Sequence, residues 1–506
     1  MSRQPIDFVA FHAARQPERP AARDLASGLS WTYSELNRAA SCCVSVLRSR
    51  GIGQGDRVAA RARNSVQLLV LHLACSRLGA IYVPLNWRLA PVELAEIVTD
   101  AFPRLLVFDE PASAWVGSAA EGMPNLSMSE LAATIEAAVP EEAEEPNPER
   151  PSILLYTSGT SGRSKGVILS ERNAFFTGDN FARSADVTKD SVLLCDVPMF
   201  HVMGLVIGLR AVLQQGGVIL LSNRFDPFEA NQRIGDPSLG VTHYICVPQM
   251  AAALRTASNF DHRVVSRLGC LIVGGAPMDV GSVLSWLDDG VTVANGYGMT
   301  EIGAGAGMPL DPGIVRRHPS STGVFPPTQE VRIVSSDGSD VSPGEAGELW
   351  LRGPNVSQGY WNRPAETQLS FTADGWFKTG DIGAIDSEGY LTLIDRKKDM
   401  FISGGENVYP AEVENVLVAC PGVAEAAVMG VPDARWGEAG VACLVLKAGA
   451  TLTLEDLRAH CSGRLAGYKA PKKFVLAKSL PRGGSGKVLK HVLRSILEEG
   501  RLQTLV

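Results

Sequence analysis

Short β-rich runs separated by helical stretches constrain this chain more than any other feature. The runs 218-VILLS-222, 242-THYICV-247, 270-CLIVGG-275 and 291-VTVANGYG-298 are apolar, rich in β-branched or aromatic residues, and stop at turn formers. Runs of this length read as buried strands, and the amphipathic stretches between them read as helices. The pattern starts at 152-SILLYTS, a strand, and continues into 170-SERNAFFTGDNFA, a helix with Ser170 as its N-cap. Such alternation predicts an α/β fold of layered sheets and helices, with functional loops at the strand ends.

The texture changes twice. From about residue 322 alternating strands and turn dipeptides predict a β-rich subdomain, and near 395 the basic stretch DRKKDMFISGGENVYP leads into a last region of different character. There AEAAVMGV and GVACLVL read as strands, and 453-TLEDLRAHCSGRL-465 reads as a helix opened by Thr453 and Asp456 in capping-box spacing. A length of 506 residues exceeds what one core usually serves. The expected organisation is therefore a large multi-layer N-terminal domain, 1–395, and a small α+β C-terminal domain, 396–506.

Composition narrows the partners. A net charge of −7 disfavours nucleic acid, which needs concentrated positive charge. The nine Cys form no C-x-x-C pair, which predicts reduced, buried thiols and neither disulfides nor a zinc site. The most apolar run, Leu68 to Leu85, is interrupted by His72, Arg77 and Gly79 and is not expected to span a membrane. With no secretory signal in the first residues, the expectation is a soluble cytoplasmic protein. A homo-oligomer is compatible with the sequence, which leaves the oligomeric state open.

One loop carries the chemistry. The stretch 156-YTSGTSGRSKGV-167 concentrates Gly, Ser and Thr around a single lysine, Lys165. It is not a Walker loop, because Lys165 precedes Gly166 and 167-VIL-169 reads as strand before any helix. Thr157, Ser158, Gly159, Thr160, Ser161 and Gly162 offer backbone N–H groups and hydroxyls suited to phosphate oxygens. A plain Gly/Ser surface turn has the same composition. Further constellations add weight. In 295-NGYGMTE-301 a hydroxyl and a carboxylate, Thr300 and Glu301, follow a strand; a carboxylate there suits Mg²⁺, which prefers oxygen. The 274-GGAP-277 segment lets backbone approach a flat ring. Asp381, in TGD, could accept hydrogen bonds from both ribose hydroxyls.

Together these stretches resemble the adenylate-forming superfamily of acyl-CoA ligases, luciferase-like enzymes and peptide-synthetase adenylation domains. The match runs through YTSGTSGRSKG, 198-PMFHVMG-204, GGAP, NGYGMTE, 348-ELWLRGPNVSQGYWNRPAET-367, GWFKTGD, 395-DRKKDMFISGGENVYPAEVE-414 and 481-PRGGSGK-487, and covers nearly the whole chain. Ser164 stands where the family usually has Pro, and Gly483-Gly484-Ser485 where a Thr-containing turn is commoner; neither removes a charge.

The resemblance implies a mobile C-terminal domain, with ATP and the acid bound between the domains. It implies ATP, Mg²⁺ and coenzyme A as reactants: a carboxylate is adenylated to acyl-AMP, then the CoA thiol displaces AMP. By resemblance Lys165 and its neighbours hold the outer phosphates, Thr300 the α-phosphate, and Glu301 the Mg²⁺. Gly275, Ala276 and Tyr297, with Asn295, Gly296 and Gly298 on the same strand, frame adenine; Asp381 and Arg396 fix the ribose. Lys487 brings the adenylating charge and Lys398 is the hinge. Gly404, Gly405, Arg88 and Lys469 serve coenzyme A. His201, Tyr244, Gly274, Met299, Gly303 and Ala304 line the acyl pocket. The small run 303-GAGAG-307 is expected to leave volume for a bulky aryl, polycyclic or medium-to-long acyl group. A carrier-protein thiol is the alternative acceptor.

Overall fold

The computed structural model describes residues 7–505 except 110–120, 143–146, 159–163, 277, 398, 404–405, 463 and 484–487. The chain forms two compact units, one of Met1–Glu330 with Leu351–Phe377, the other of Val331–Trp350 with Lys378–Val506.

The first unit is built on two sheets. The larger has eight strands in the order Gly303–Gly307, Val293–Met299, Cys270–Val273, His243–Cys246, Val192–Cys195, Val218–Leu221, Pro20–Asp24 and Ser30–Thr32. Its six inner strands run parallel; the strand at each edge is antiparallel to its neighbour. All four residues of His243–Cys246 and of Cys270–Val273 are buried, as expected of parallel strands covered on both faces. The second sheet runs Asn125–Ser127, Leu105–Phe108, Arg57–Arg61, Ile81–Pro84, Pro151–Ser158 and Ser164–Ser170; only its last pair is antiparallel.

The most apolar run, Leu68 to Leu85, folds into most of the helix Val66–Leu78, capped by Ser65 and closed at Gly79 with φ +70°, and the buried strand Ile81–Pro84. The helix is buried on nearly every side, which explains its apolar character without a membrane. The Arg77 side chain inside it bonds Asp7, Asn37 and Ser41. Among the described residues no helix is long and apolar enough to cross a membrane. All nine cysteines are free and buried.

Four strands, Glu330–Val334, Gly347–Arg352, Phe377–Ile385 and Leu391–Arg396, form a separate sheet in chain order. The second unit also holds a six-stranded sheet in which Val423–Asp433 and Gly437–Leu446 make a long antiparallel pair. Its helix Leu454–Cys461 opens with the capping box read from the sequence, Thr453 and Asp456 each bonding the other's backbone N–H. The expected division after residue 395 falls within this unit.

Candidate active site

The phosphate-loop sequence sits on a β-hairpin. Strands Pro151–Ser158 and Ser164–Ser170 pair antiparallel, with Thr157 opposite Lys165 and Ser158 opposite Ser164. Gly159, Thr160, Ser161 and Gly162, between the two strands, lie outside the described residues. The helix Glu171–Ser184 begins only after the second strand, capped by Ser170. Its N-terminus is thus a whole strand from Lys165, roughly 20 Å at the usual rise, so the helix dipole is not aimed at the loop.

A third segment lies along this hairpin. Gln358 N–H donates to Ile168 O at 3.1 Å, Ile168 N–H to Gly359 O at 3.0 Å, and Trp361 N–H to Gly166 O at 2.8 Å. Val167 and Tyr360 form an antiparallel bridge. The segment is tied down further by Asp100, whose carboxylate accepts from Tyr156 Oη at 2.7 Å and faces Arg363 at 3.4 Å. Burial, with the hydrogen bond to Asp100, pushes the Tyr156 phenol up. The pairing brings the Tyr360 ring centroid to 5.1 Å from Lys165 Nζ, and the Tyr360 hydroxyl donates to Glu301 Oε1 at 3.0 Å. Lys165 and Glu301, far apart in sequence, therefore meet opposite ends of one side chain.

The strand Val293–Met299 delivers Asn295, Gly296, Tyr297, Gly298 and Met299, followed by half-buried Thr300 and buried Glu301. Asn295 Oδ1 accepts from Met278 N–H at 3.2 Å, so this amide orders the turn after GGAP. A Cβ on Gly274 would stand 3.0 Å from Met203 Cε, and one on Gly275 3.6 Å from it. The methionine thus packs on the bare backbone of Gly274 and Gly275.

Met203, two residues after His201, opens a π-helix, Met203–Leu209. Wide turns of this kind occur disproportionately at functional sites. His201 is half-buried, its ring 4.5 Å from that of Phe200, which meets Trp87 edge-on at 6.2 Å. Both Arg63 and Arg88 lie over Trp87, at 4.9 and 4.8 Å. Partial burial and the neighbouring Arg63 charge push Arg88 below its ordinary pKa. Tyr244 is wholly buried, with its hydroxyl donating to Asp196, so it could meet an acyl group only as part of a pocket floor.

The glycines of 303–307 are used differently from expectation. A Cβ on Gly303 would stand 2.1 Å from Thr177 Oγ1, one on Gly305 3.0 Å from Tyr297, and one on Gly307 2.9 Å from Ser184 Cβ. The missing side chains permit close approach of the strand to the helix Glu171–Ser184 and to Tyr297, and the space they leave is already filled. Ala304 is half-buried, and its carbonyl accepts from Gln329 Nε2 at 2.7 Å.

In the second unit, Asp381 and Arg396 face each other across paired strands, with Arg396 Nε 2.6 Å from Asp381 Oδ1. The carboxylate is buried, and the Asp381 N–H donates to Thr379 Oγ1 at 3.0 Å. Lys469 is held by Glu412 at 2.7 and 2.8 Å; this hydrogen-bonded carboxylate raises its pKa. Lys398, Gly404, Gly405 and Lys487 lie outside the described residues.

Comparison with known proteins is consistent along the chain. The AMP-binding enzyme model matches residues 9–361, and its C-terminal domain model matches 412–487. The chain belongs to the AMP-binding enzymes. Within them it falls in the acyl-CoA ligase branch of the adenylate-forming superfamily. It is 37% identical over 489 residues to a feruloyl-CoA synthase of Amycolatopsis sp, covering 95% of this chain and 96% of that protein. It is 35% identical over 496 residues to the long-chain-fatty-acid–CoA ligase FadD13 of Mycobacterium tuberculosis, covering 95% and 96%. Among solved structures, ATP-bound MatB of Rhodopseudomonas palustris superposes with a TM-score of 0.91 at 33% identity, over 97% of this chain and 99% of that one.

The residues of this AMP-binding enzyme fit the groups such chemistry needs. Among the described residues no cluster of three or more His, Cys, Asp or Glu could hold a metal alone. A cation at Glu301 would depend on one carboxylate and on phosphate oxygens, which is how Mg²⁺ is usually bound beside nucleotides. Sequence reasoning singled out neither Tyr360 nor Arg63, whereas Met203 lay within the quoted PMFHVMG stretch. Tyr360 stood inside a quoted motif, and Arg63 follows a strand end, where binding loops cluster; the sequence around Met203 gave no sign of a π-helix.

Proposed function

We propose that this acid–thiol ligase joins a bulky, apolar carboxylic acid to coenzyme A, using ATP and Mg²⁺. In the first half-reaction a carboxylate oxygen attacks the α-phosphorus of ATP, and the bond to the bridging oxygen breaks, giving acyl-AMP and pyrophosphate. In the second, the CoA sulfur attacks the acyl carbon, its proton is lost, and AMP departs with the shared oxygen.

The first step brings an anion onto a polyanion, so catalysis requires positive charge placed where negative charge gathers. Lys165 and the hydroxyls of Thr157 and Ser158 would hold the outer phosphates, with Thr300 at the α-phosphate. Glu301 would hold Mg²⁺, which when bound neutralises phosphate charge. Gly275, Ala276 and Tyr297 would flank adenine, and the Asp381–Arg396 pair would meet the ribose. Lys487 would supply charge at the reacting carboxylate, and rotation at Lys398 would exchange it for Gly404 and Gly405 in the second half-reaction. Arg88, with Arg63 beside it, would bind phosphates of coenzyme A; Lys469 could do so only by giving up Glu412.

The observation that carries this reading is the convergence of Lys165 and Glu301 on Tyr360. It places a cation and a carboxylate together at the base of a Gly/Ser/Thr-rich hairpin. The acyl group would lie near His201, Met203 and Met299, where apolar side chains and bare backbone favour an aryl, polycyclic or medium-to-long chain over acetate. A panel of such acids, scored for AMP release with coenzyme A and separately with a carrier protein, tests it. AMP release that depends on the carrier and ignores coenzyme A would overturn the acceptor, and preference for acetate would overturn the substrate class.

A further inference from the structure

Tyr360 touches two opposite charges, one at its ring and the other at its hydroxyl. Its ring lies 5.1 Å from Lys165 Nζ, and its hydroxyl donates to Glu301 Oε1 at 3.0 Å. The ring is not placed by chance packing. Tyr360 bridges to Val167, and its N–H donates to Thr367 Oγ1 at 2.9 Å. The preceding Gly359 has φ +116°, and a Cβ there would stand 2.4 Å from Thr367 Cγ2, so the backbone that aims the ring tolerates only glycine. Ser357 N–H donates to the Glu301 carbonyl at 2.7 Å, fixing the acidic residue to the same segment.

A lysine and a glutamate that met directly would each be spent on the other. An aromatic face holds an ammonium without neutralising it. A neutral phenol donor orients a carboxylate without neutralising it. We propose that Tyr360 is a positioning residue: a spacer that keeps Lys165 and Glu301 apart and presents one to phosphate and the other to a divalent cation. The inference rests on the roles given above to Lys165 and Glu301.

The test is calorimetric binding of ATP to the full-length protein, without acid or coenzyme A, once in EDTA and once with Mg²⁺. Tyr360→Phe keeps the ring and removes the donor. It should leave metal-free ATP binding within about twofold and cut the gain due to Mg²⁺ about tenfold, as loss of an outer-shell partner does. Tyr360→Leu removes both contacts and should also weaken metal-free binding about fivefold, the size of a lost cation–π contact. An unchanged Mg²⁺ gain in the Phe variant, or metal-free binding equal in the Phe and Leu variants, overturns the spacer. Lys165→Met and Glu301→Gln serve as references. If both bind ATP like the unaltered protein in both conditions, the underlying roles fail; if they lose affinity while the Tyr360 variants do not, the spacer alone fails.

Discussion

Gly303 turns at φ +60° directly against Thr177, whose Oγ1 lies 2.1 Å from the point a Cβ on residue 303 would occupy. The contact seats the strand Gly303–Gly307 on the helix Glu171–Ser184. Gly303→Ala combines a left-handed backbone position with a steric overlap and should destabilise the protein by about 2 kcal/mol or more. Thr177→Gly in the same chain should recover part of that loss. Urea unfolding of the two single variants and the double variant measures it; additive losses would show that the contact does not matter.

A buried ion pair offers a sharper test. The Glu171 carboxylate is bonded by Arg210 Nη2 and the Ser152 hydroxyl, and by Ser76 Oγ at 2.7 Å. Burial would raise its pKa, but Arg210 and the two serines outweigh that and hold it at about 2. With a folded value below the unfolded one, near 4.3, the pair's stabilisation is present above that value and lost as pH falls towards 2. Arg210→Met strands a buried carboxylate and should cost about 3–5 kcal/mol at neutral pH. The deficit should shrink as pH falls towards the unfolded value, because the stranded carboxyl of the variant takes up a proton and loses its charge. Replacing both residues by Met should restore much of the stability, and a double variant as unstable as the single would count against the pair.

Asp196 has the opposite sign. Burial pushes its carboxyl up to about 6, although Tyr244, Ser222 and Arg233 pull it down. The folded protein therefore binds this proton more tightly than the unfolded chain, whose Asp titrates near 3.9. The group's contribution is full below that value and declines as pH rises to about 6, a change of about 3 kcal/mol. Asp196→Asn should remove this slope, so that its stability relative to the unaltered protein improves between pH 4.5 and 7. Parallel stability curves over that window would refute the shift.

What the sequence made legible was local. Ser170 and Thr453 could be read as caps because a cap and the N–H it satisfies lie three residues apart. The strands on either side of the Lys165 loop were legible because 152-SILLYTS and 167-VIL-169 are short apolar runs. Long-range convergence was not. Nothing in GYWN says that residue 360 will lie on Lys165, and nothing at Lys469 announces Glu412. The GAGAG run misled for a related reason: a small residue signals either empty space or a close neighbour, and only the fold supplies Thr177.

Arg63 and Arg88 share the Trp87 ring, and two guanidinium groups held together mark a place where a polyanion is welcome. Arg63→Ala should raise KM for coenzyme A about fivefold, the worth of one partly exposed cation–phosphate contact. It should leave KM for ATP and the acid unchanged and flatten the salt dependence of the CoA step. An equal rise in all three KM values would point to a general structural effect.

Lys487 closes the catalytic proposal from the far end of the chain. Its charge is assigned to the first half-reaction only, because the second begins from an acyl-AMP whose carboxylate charge is already gone. Lys487→Ala should therefore lower acid-dependent pyrophosphate release by about 100-fold or more, as loss of a transition-state contact does. It should still convert supplied acyl-AMP and coenzyme A to thioester near the normal rate. Locking position 398 with Pro should give the reverse pattern, sparing pyrophosphate release and blocking thioester formation, because a fixed hinge cannot exchange one set of groups for the other. If both substitutions suppress both half-reactions equally, the two steps share one arrangement of the chain, and the division of labour between Lys487 and Lys398 falls.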